Sequence, residues 1–296
     1  MTGTPRHIPV LADEVIRLLE PKPGQIVVDG TLGAGGHARL LAERVGPTGR
    51  VIGIDQDVAM IDLARPRLAD LPVTLIHASF DQLREVLNAQ GISAIDAVLA
   101  DLGICSDQLD DSGRGFSFQQ DGPVDMRLDR TCGGPASDVL ARAPERELAD
   151  LIFRYGEERY SRRIARRIVE ARKTGLPQTT GELAALIRRC VPRSHGIDPA
   201  TRTFQALRIA VNDELGALER LLKQLPDCVK PGGRAAIISF HSLEDRRVKQ
   251  AFRSVDWTVL TSKPVTAGHE ETRDNPRSRS AKLRVAQRKH HSEPDA

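Results

Sequence analysis

Nine residues, DGTLGAGGH from Asp29 to His37, constrain this chain more than any other feature. The apolar run Ile26-Val27-Val28 precedes them and reads as a buried strand, and Ala38-Arg39-Leu40-Leu41-Ala42 follows as a helix start. A strand that turns through glycines into a helix opens a βαβ unit. Gly33, Gly35 and Ala38 also have the G-x-G-x-x-A spacing of nucleotide-binding loops. Glycine permits the sharp turn and leaves main-chain N–H groups open to a ligand. Alone, the pattern fits a binding loop or a plain tight turn. The next apolar run, Val51-Ile52-Gly53-Ile54, ends on Asp55, at the distance where an acid holds ribose hydroxyls. Together the two signals predict a nucleoside-type cofactor site.

Charge narrows the cofactor. A dinucleotide would set its pyrophosphate against the loop and the helix N-terminus. Asp29, at the start of the loop, repels such a group. S-adenosylmethionine has no phosphate and carries a sulfonium and an ammonium, so an acidic lip suits it. The alternative for Asp29 is a turn held by its own side-chain hydrogen bonds.

The same sheet continues. Val73-Thr74-Leu75-Ile76 predicts a third strand, followed by Phe80, placed either to lie against an adenine or to fill the core. Ile95-Asp96-Ala97-Val98-Leu99-Ala100 predicts a fourth strand that delivers Asp101 to its end. Ligands of open α/β sheets bind outside the carboxyl ends of the strands, so Asp29, Asp55, Phe80 and Asp101 are expected around one crevice. From about Gln108 to Val211 strand alternation stops. A Gly- and Asp-rich loop, 110–134, gives way to amphipathic helices over about 145–155 and 162–173. A third follows the capping-box pair Thr179 and Glu182, and a fourth begins near Pro199. The stretch 225–233 reads as a helix end and a Pro-Gly-Gly turn. Ala235-Ala236-Ile237-Ile238-Ser239 resumes the sheet, with two last strands near 257–260 and 283–286. The expected organisation is one α/β domain, 1–108 and 212–296, interrupted by a helical insertion, 109–211, that recognises the substrate.

The 296 residues, 40% hydrophobic and 28% charged, have room for a full core. No apolar run approaches the roughly 20 residues that cross a bilayer, and the N-terminus lacks a signal-peptide pattern. Cys105, Cys132, Cys190 and Cys228 are widely spaced, with neither zinc-site nor disulfide spacing, so no metal and a reducing cytoplasm are expected. Net charge is only +3, but the basic residues cluster. Arg162, Arg163, Arg166, Arg167, Arg172 and Lys173 crowd one insertion helix, followed by Arg188, Arg189, Arg193 and Arg202. The C-terminal stretch 273–289 adds Arg277, Arg279, Lys282, Arg284 and Arg288 against one acid, Asp274. Such clusters are the footprint of phosphate-backbone binding, although a solvated, ion-paired helix face is the alternative for the Arg162 helix. Aromatic residues are only 3% of the chain, which argues against an extended single-strand stacking platform.

Longer motifs carry a resemblance. HIPVLADEV from His7, DGTLGAGGH from Asp29, DLGICSDQLDDSGRGFSFQQDGPVDMRLD from Asp101 and YGEERYSRRIARRIV from Tyr155 run in order along the chain. TRTFQALRIAVNDEL from Thr201, ISFHSLEDRRVK from Ile238 and NPRSRSAKLR from Asn275 complete the set. In these segments the chain resembles the bacterial small-subunit ribosomal RNA cytosine-N4 methyltransferases. The resemblance implies a class I, Rossmann-like S-adenosylmethionine-dependent methyltransferase sheet with an inserted all-helical domain. It also implies N4-methylation of a cytidine in the decoding centre of 16S rRNA, within the small ribosomal subunit. By motif position it implies cofactor contacts at Gly35, Gly36, His37, Asp55, Phe80, Asp101 and Gln108. Cys105 stands where the family usually has serine, a swap that keeps size and weakens hydrogen bonding.

The exocyclic amine of cytosine is a poor nucleophile because its lone pair is delocalised into the ring. A hydrogen-bond acceptor localises that pair and takes the proton. DNA amino-methyltransferases use an Asp/Asn-Pro-Pro-aromatic segment after the fourth strand. Asp101-Leu102-Gly103-Ile104 keeps only the acid. Asp101 is thus open between cofactor contact and proton acceptor, and Asp125 between a second acceptor and a turn-forming acid. Arg127, Asn212 and His241 are candidates for the substrate side, with Arg277, Arg279 and Lys282 for RNA phosphates. No catalytic base is assigned, and monomer and homodimer both remain open. Two rival readings stand beside this one: a nicotinamide-dependent dehydrogenase, and a non-catalytic RNA-binding assembly factor that retains the fold.

Overall fold

A computed structural model describes residues 9–192 and 196–290. Arg193 and the first two residues of the HIPVLADEV motif lie outside the described residues. The chain divides into two compact units, Met1–Gly103 with Leu215–Ala296, and Ile104–Glu214. These joints differ by a few residues from the expected 108/109 and 211/212. Gln108 lies in a short helix, Ser106–Asp110, that belongs to the second unit.

The first unit is built on a seven-stranded sheet: β1 (Ile26–Asp29), β2 (Arg50–Asp55), β3 (Val73–His77), β4 (Ile95–Asp101), β5 (Val229–Ser239), β6 (Trp257–Val259) and β7 (Lys282–Arg288). Their spatial order is β3-β2-β1-β4-β5-β7-β6. The first five pair in parallel, and β7 runs antiparallel between β5 and β6. Alternate side chains feed two cores on opposite faces. Val28, Ile52, Val98 and Ala100 meet Leu83, Leu87, Leu218 and Leu225 on one face. Val27, Val51, Ala97 and Leu99 meet Val15, Leu41 and Ile61 on the other. Burial on both faces explains why these strands read as continuous apolar runs. The strand order reverses between β1 and β4, the switch point where such sheets open a crevice.

The expected Pro-Gly-Gly turn takes a different form. The helix Glu214–Cys228 passes directly into β5, which contains Pro231-Gly232-Gly233. The register against β4 shifts between the Ile95 and Ala97 pairs. A Cβ on Gly233 would lie 2.7 Å from the Asp96 carbonyl oxygen, so the glycine lets two backbones pass closely at a bulge.

The second unit packs the helices Ala136–Arg142, Glu145–Gly156, Ser161–Ala171, Thr180–Cys190 and Ala200–Asn212 around their own core. Leu148, Ile152, Ile164, Ile168, Leu183, Ile187, Phe204 and Leu207 fill it. Thr179 caps its helix by accepting from the Glu182 N–H, as the capping-box pattern predicts. Phe118 meets Phe204 edge-on at 4.9 Å and anchors the long loop to the helices. Among the described residues no helix is long and apolar enough to cross a membrane.

Candidate active site

The glycine loop leaves β1 at the switch point. Gly33 and Gly35 have φ of 50° and 85°, the left-handed region that glycine occupies without strain. A Cβ on Gly35 would also meet Leu68 Cδ1 at 2.9 Å. Gly35 caps the helix Gly36–Val45, which sets His37 in its first turn. Main-chain bonds lash the loop to both neighbouring strands: Gly30 N–H donates to Leu99 and Leu32 N–H to Ile54.

Three ionisable groups meet at these strand ends. Asp29 is fully buried, His37 nearly so, and Asp101 mostly so. His37 Nε2 lies 3.7 Å from Asp101 Oδ2, an ion-pair distance longer than a hydrogen bond. Asp29 Oδ2, His37 Nε2 and Asp101 Oδ1 are buried and have no hydrogen-bond partner among the described residues. Buried polar atoms are ordinarily hydrogen-bonded, so carboxylate oxygens of Asp29 and Asp101 left without a hydrogen bond in one crevice mark a place for a ligand. Burial pushes the Asp29 carboxyl up to about 6, against the pull of His37 and the Thr31 N–H. Burial alone would lower the His37 imidazole, but Asp101 and then Asp29 outweigh it and hold it above its ordinary value.

This geometry corrects the view of Asp29 as an acidic lip. The side chain is inside the fold, where Oδ1 accepts the Thr31 N–H at 3.2 Å. Thr31, to which the glycine-loop motif alone gives no role, accepts the Asp101 N–H on its Oγ1 at 2.6 Å and so ties the end of β1 to β4. An Asp followed two residues later by Thr is the available signal for such a turn.

Asp55 ends β2 and joins two loops. Its Oδ2 accepts from Gly33 N–H and its Oδ1 from Asp57 N–H, each at 2.8 Å. Burial raises its carboxyl to about 6 despite these bonds. Each oxygen keeps a lone pair for a hydroxyl donor. Phe80 begins a 3-10 turn and packs, half-buried, on the core beside Gly30, where an added Cβ would be 3.4 Å from its own. The core alternative for Phe80 is therefore met in part. Gly35, Gly36, His37, Asp55, Phe80 and Asp101 thus surround the carboxyl ends of β1, β2, β3 and β4.

The other expected site residues have different surroundings. His241 caps the helix Ser242–Ala251 by accepting the Glu244 N–H, while Glu244 returns a bond to the His241 N–H. In the second unit, Gln108 is buried and its Oε1 accepts the Cys105 N–H, with the Cys105 sulfur completing the capping box. Asp125 is gripped by Arg127, whose Nε and Nη2 donate at 2.8 and 3.0 Å. Burial opposes ionisation there, but the Arg127 bonds prevail and hold the Asp125 carboxyl below its usual value. Asn212 accepts the Leu128 N–H and donates to the Met126 carbonyl. Arg114, a buried residue of the Asp101 motif to which its spacing gives no role, donates to the carbonyls of Arg127 and Leu128. These bonds clamp the loop around Met126, whose φ of 63° needs such restraint.

The basic tail divides. Arg279 is exposed, while Arg277 and Lys282 are half-buried. Arg284 and Arg288 are buried in β7 and bound to Asp245 and Asp256. The expectation of phosphate binding is corrected for these two, because folding brings acids that are distant in sequence. Arg172 and Arg188 are likewise committed, to the carbonyls of Leu140 and Ala143 and to Asp198.

Carboxylates at three strand ends, that of Asp29 fully buried, fit a cationic, phosphate-free cofactor better than a pyrophosphate. The fold and the site define a class I methyltransferase, with S-adenosylmethionine as its methyl donor. The chain belongs to the MraW methylase family, which matches it over residues 4–289. It is 51% identical over 288 residues to the ribosomal RNA small subunit methyltransferase H of Sorangium cellulosum, covering 96% of this chain and 91% of that one. The protein of the same name from Deinococcus radiodurans is 52% identical over 285 residues, covering 95% and 89%. Among solved structures, an rRNA methylase from Streptococcus thermophilus covers 94% of each chain at 12% identity, with a TM-score of 0.44.

Proposed function

We propose that this chain transfers a methyl group from S-adenosylmethionine to N4 of one cytidine in the decoding centre of 16S rRNA, within the small ribosomal subunit. The names of its relatives support ribosomal RNA as the substrate class. The observation that carries the N4 assignment is Asp101 Oδ1, a buried carboxylate oxygen with no partner among the described residues, at the end of β4. An amine must be activated by an acceptor, whereas a ring carbon needs a covalent nucleophile. Asp101 also follows the fourth strand, where amino-methyltransferases keep their acid, and this supports its reading as that acceptor.

Bound S-adenosylmethionine supplies an electrophilic methyl group on a sulfonium. In this reading Gly35, Gly36, His37, Asp55, Phe80 and Gln108 hold the donor, and Asp101, at the end of β4, serves either the donor or the amine proton. The left-handed glycines let main-chain N–H groups approach it, and Asp55 accepts from its ribose. His37 stands 3.7 Å from Asp101 and orients its carboxyl group within the crevice. Asp125, Arg127, Asn212 and His241 shape the substrate side by fixing the loop and the turns that carry them. Arg277, Arg279 and Lys282 meet RNA phosphates.

Transfer of labelled methyl groups to protein-free small-subunit RNA and to assembled subunits tests the reading. Asp101→Asn keeps the shape and removes the charge. Lost turnover with wild-type donor affinity assigns Asp101 to the amine proton; lost donor affinity assigns it to the cofactor. Full turnover in that variant removes Asp101 from the reaction and the N4 assignment with it.

A further inference from the structure

The motif YGEERYSRRIARRIV is not absorbed by the methyl-transfer site, yet it builds a cleft of its own. Within the second unit, Tyr160, Arg159, Ile197, Pro199 and Arg202 line a hollow of about 460 Å³. Tyr160 is 37% exposed and Ile197 68%, unusual for large apolar side chains. Below them Glu158 is buried, and its Oε1 accepts the Tyr160 N–H at 2.8 Å. The Ser161 N–H donates to the Glu158 carbonyl and the Ile164 N–H to that of Tyr160. Tyr160 is therefore exposed on a backbone that is fixed from beneath. An exposed aromatic ring on a rigid mount is a stacking surface.

Arginines outnumber acids around the ring. Asp198, the acid in the far wall, is held by Arg188 through a two-pronged pair. Arg159 and Arg202 are exposed at the cleft, against the buried carboxylate of Glu158 and the exposed Glu157, whose carbonyl accepts from Arg202 Nη1. Arg162 and Arg163 follow on the helix that Tyr160 caps, both exposed. The first turn of that helix contains no acid, so its dipole adds to the positive potential.

We propose that this cleft binds an unpaired nucleotide of RNA, with its base stacked on Tyr160 and its flanking phosphates held by Arg159 and Arg202. The proposal rests on ribosomal RNA being the substrate and adds a binding site outside the methyl-transfer crevice. Stacking on one aromatic ring is indifferent to base identity, so the cleft grips a looped-out or single-stranded nucleotide without reading its sequence. A chain with few aromatic residues needs no extended platform for this. One ring with cationic neighbours is enough.

The test uses the full-length protein and small-subunit RNA freed of proteins. Tyr160→Leu is expected to weaken RNA binding about 5- to 150-fold, the range for removing one base–aromatic stack. Tyr160→Phe, which keeps the ring, is expected to bind like wild type. The pair Arg159→Gln and Arg202→Gln is expected to flatten the salt dependence by about 0.7 for each single-strand phosphate that is no longer neutralised. Affinity for S-adenosylmethionine stays unchanged in all three, which separates a local effect from misfolding. Wild-type RNA affinity in Tyr160→Leu overturns the cleft and leaves the ribosomal RNA reading intact. A variant that fails on assembled subunits but still binds free RNA like wild type overturns it in favour of a protein partner. Wild-type protein that neither binds nor methylates small-subunit RNA overturns both.

Discussion

Asp29→Asn is expected to make the free protein more stable, and increasingly so as pH rises. In the wild type a fully buried carboxyl is lifted from 3.8 to about 6 by burial. Above the unfolded value the folded state therefore holds a proton that the unfolded state has lost, and stability falls as pH rises from about 4 to about 6. Each unit is worth about 1.36 kcal/mol, so ionising Asp29 in the fold costs about 3 kcal/mol once both states are charged. Integrating the linkage gives about 2 kcal/mol of that between pH 4.5 and pH 8. Asparagine keeps the acceptor for the Thr31 N–H. Any cost of its unpaired amide is independent of pH and cancels in the comparison. The assay is urea unfolding followed by the single tryptophan, Trp257, which is buried against Phe252 in the same unit as Asp29. With a slope of about 2 kcal/mol per M, the advantage of the variant grows by roughly 1 M in midpoint over that pH range. An advantage that is the same at both pH values refutes the raised carboxyl.

Asp55→Ala removes the acceptor for Gly33 and Asp57 N–H as well as the proposed ribose contact. It should weaken S-adenosylmethionine binding by about 1–3 kcal/mol in calorimetry, and unchanged affinity removes Asp55 from the site. Neutralising Arg277, Arg279 and Lys282 together should flatten the salt dependence of RNA binding by about 0.9 per duplex phosphate, leaving donor affinity alone. Arg284→Gln, by contrast, should act on folding and cost on the order of 3 kcal/mol in the Trp257 assay, because it strands Asp245. Cys105→Ser should gain about 0.5–1 kcal/mol in unfolding of the second unit, since an oxygen accepts the Gln108 N–H better than sulfur. No gain means that the sulfur cap already suffices.

Much of the sheet was legible because its strands are buried on both faces, and a run such as Ile26-Val27-Val28 can be little else. The glycine loop was legible for a related reason. Only a left-handed turn needs Gly33 and Gly35 between a strand and a helix. What stayed hidden is non-local. Nothing near Arg284 or Arg288 announces Asp245 and Asp256, so a structural pair looks like a free basic tail. The β5 bulge depends on the Asp96 carbonyl passing Gly233, an approach across more than a hundred residues of chain. His241 stayed hidden as a cap because the usual helix-start residues are Ser, Thr, Asp and Asn. The burial of Asp29 stayed hidden because a carboxylate beside glycines reads as surface until the neighbouring strands cover it.

The proposed product is a methyl group on the exocyclic nitrogen of one cytidine. Small-subunit RNA incubated with the protein and S-adenosylmethionine, digested to nucleosides and resolved by mass spectrometry, tests it most directly. N4-methylcytidine is expected in the digest and, in nuclease fragments, a single modified position in the decoding centre. A methyl group on ring carbon C5 or on a ribose hydroxyl contradicts it, because neither reaction is driven by an acceptor placed beside an amine.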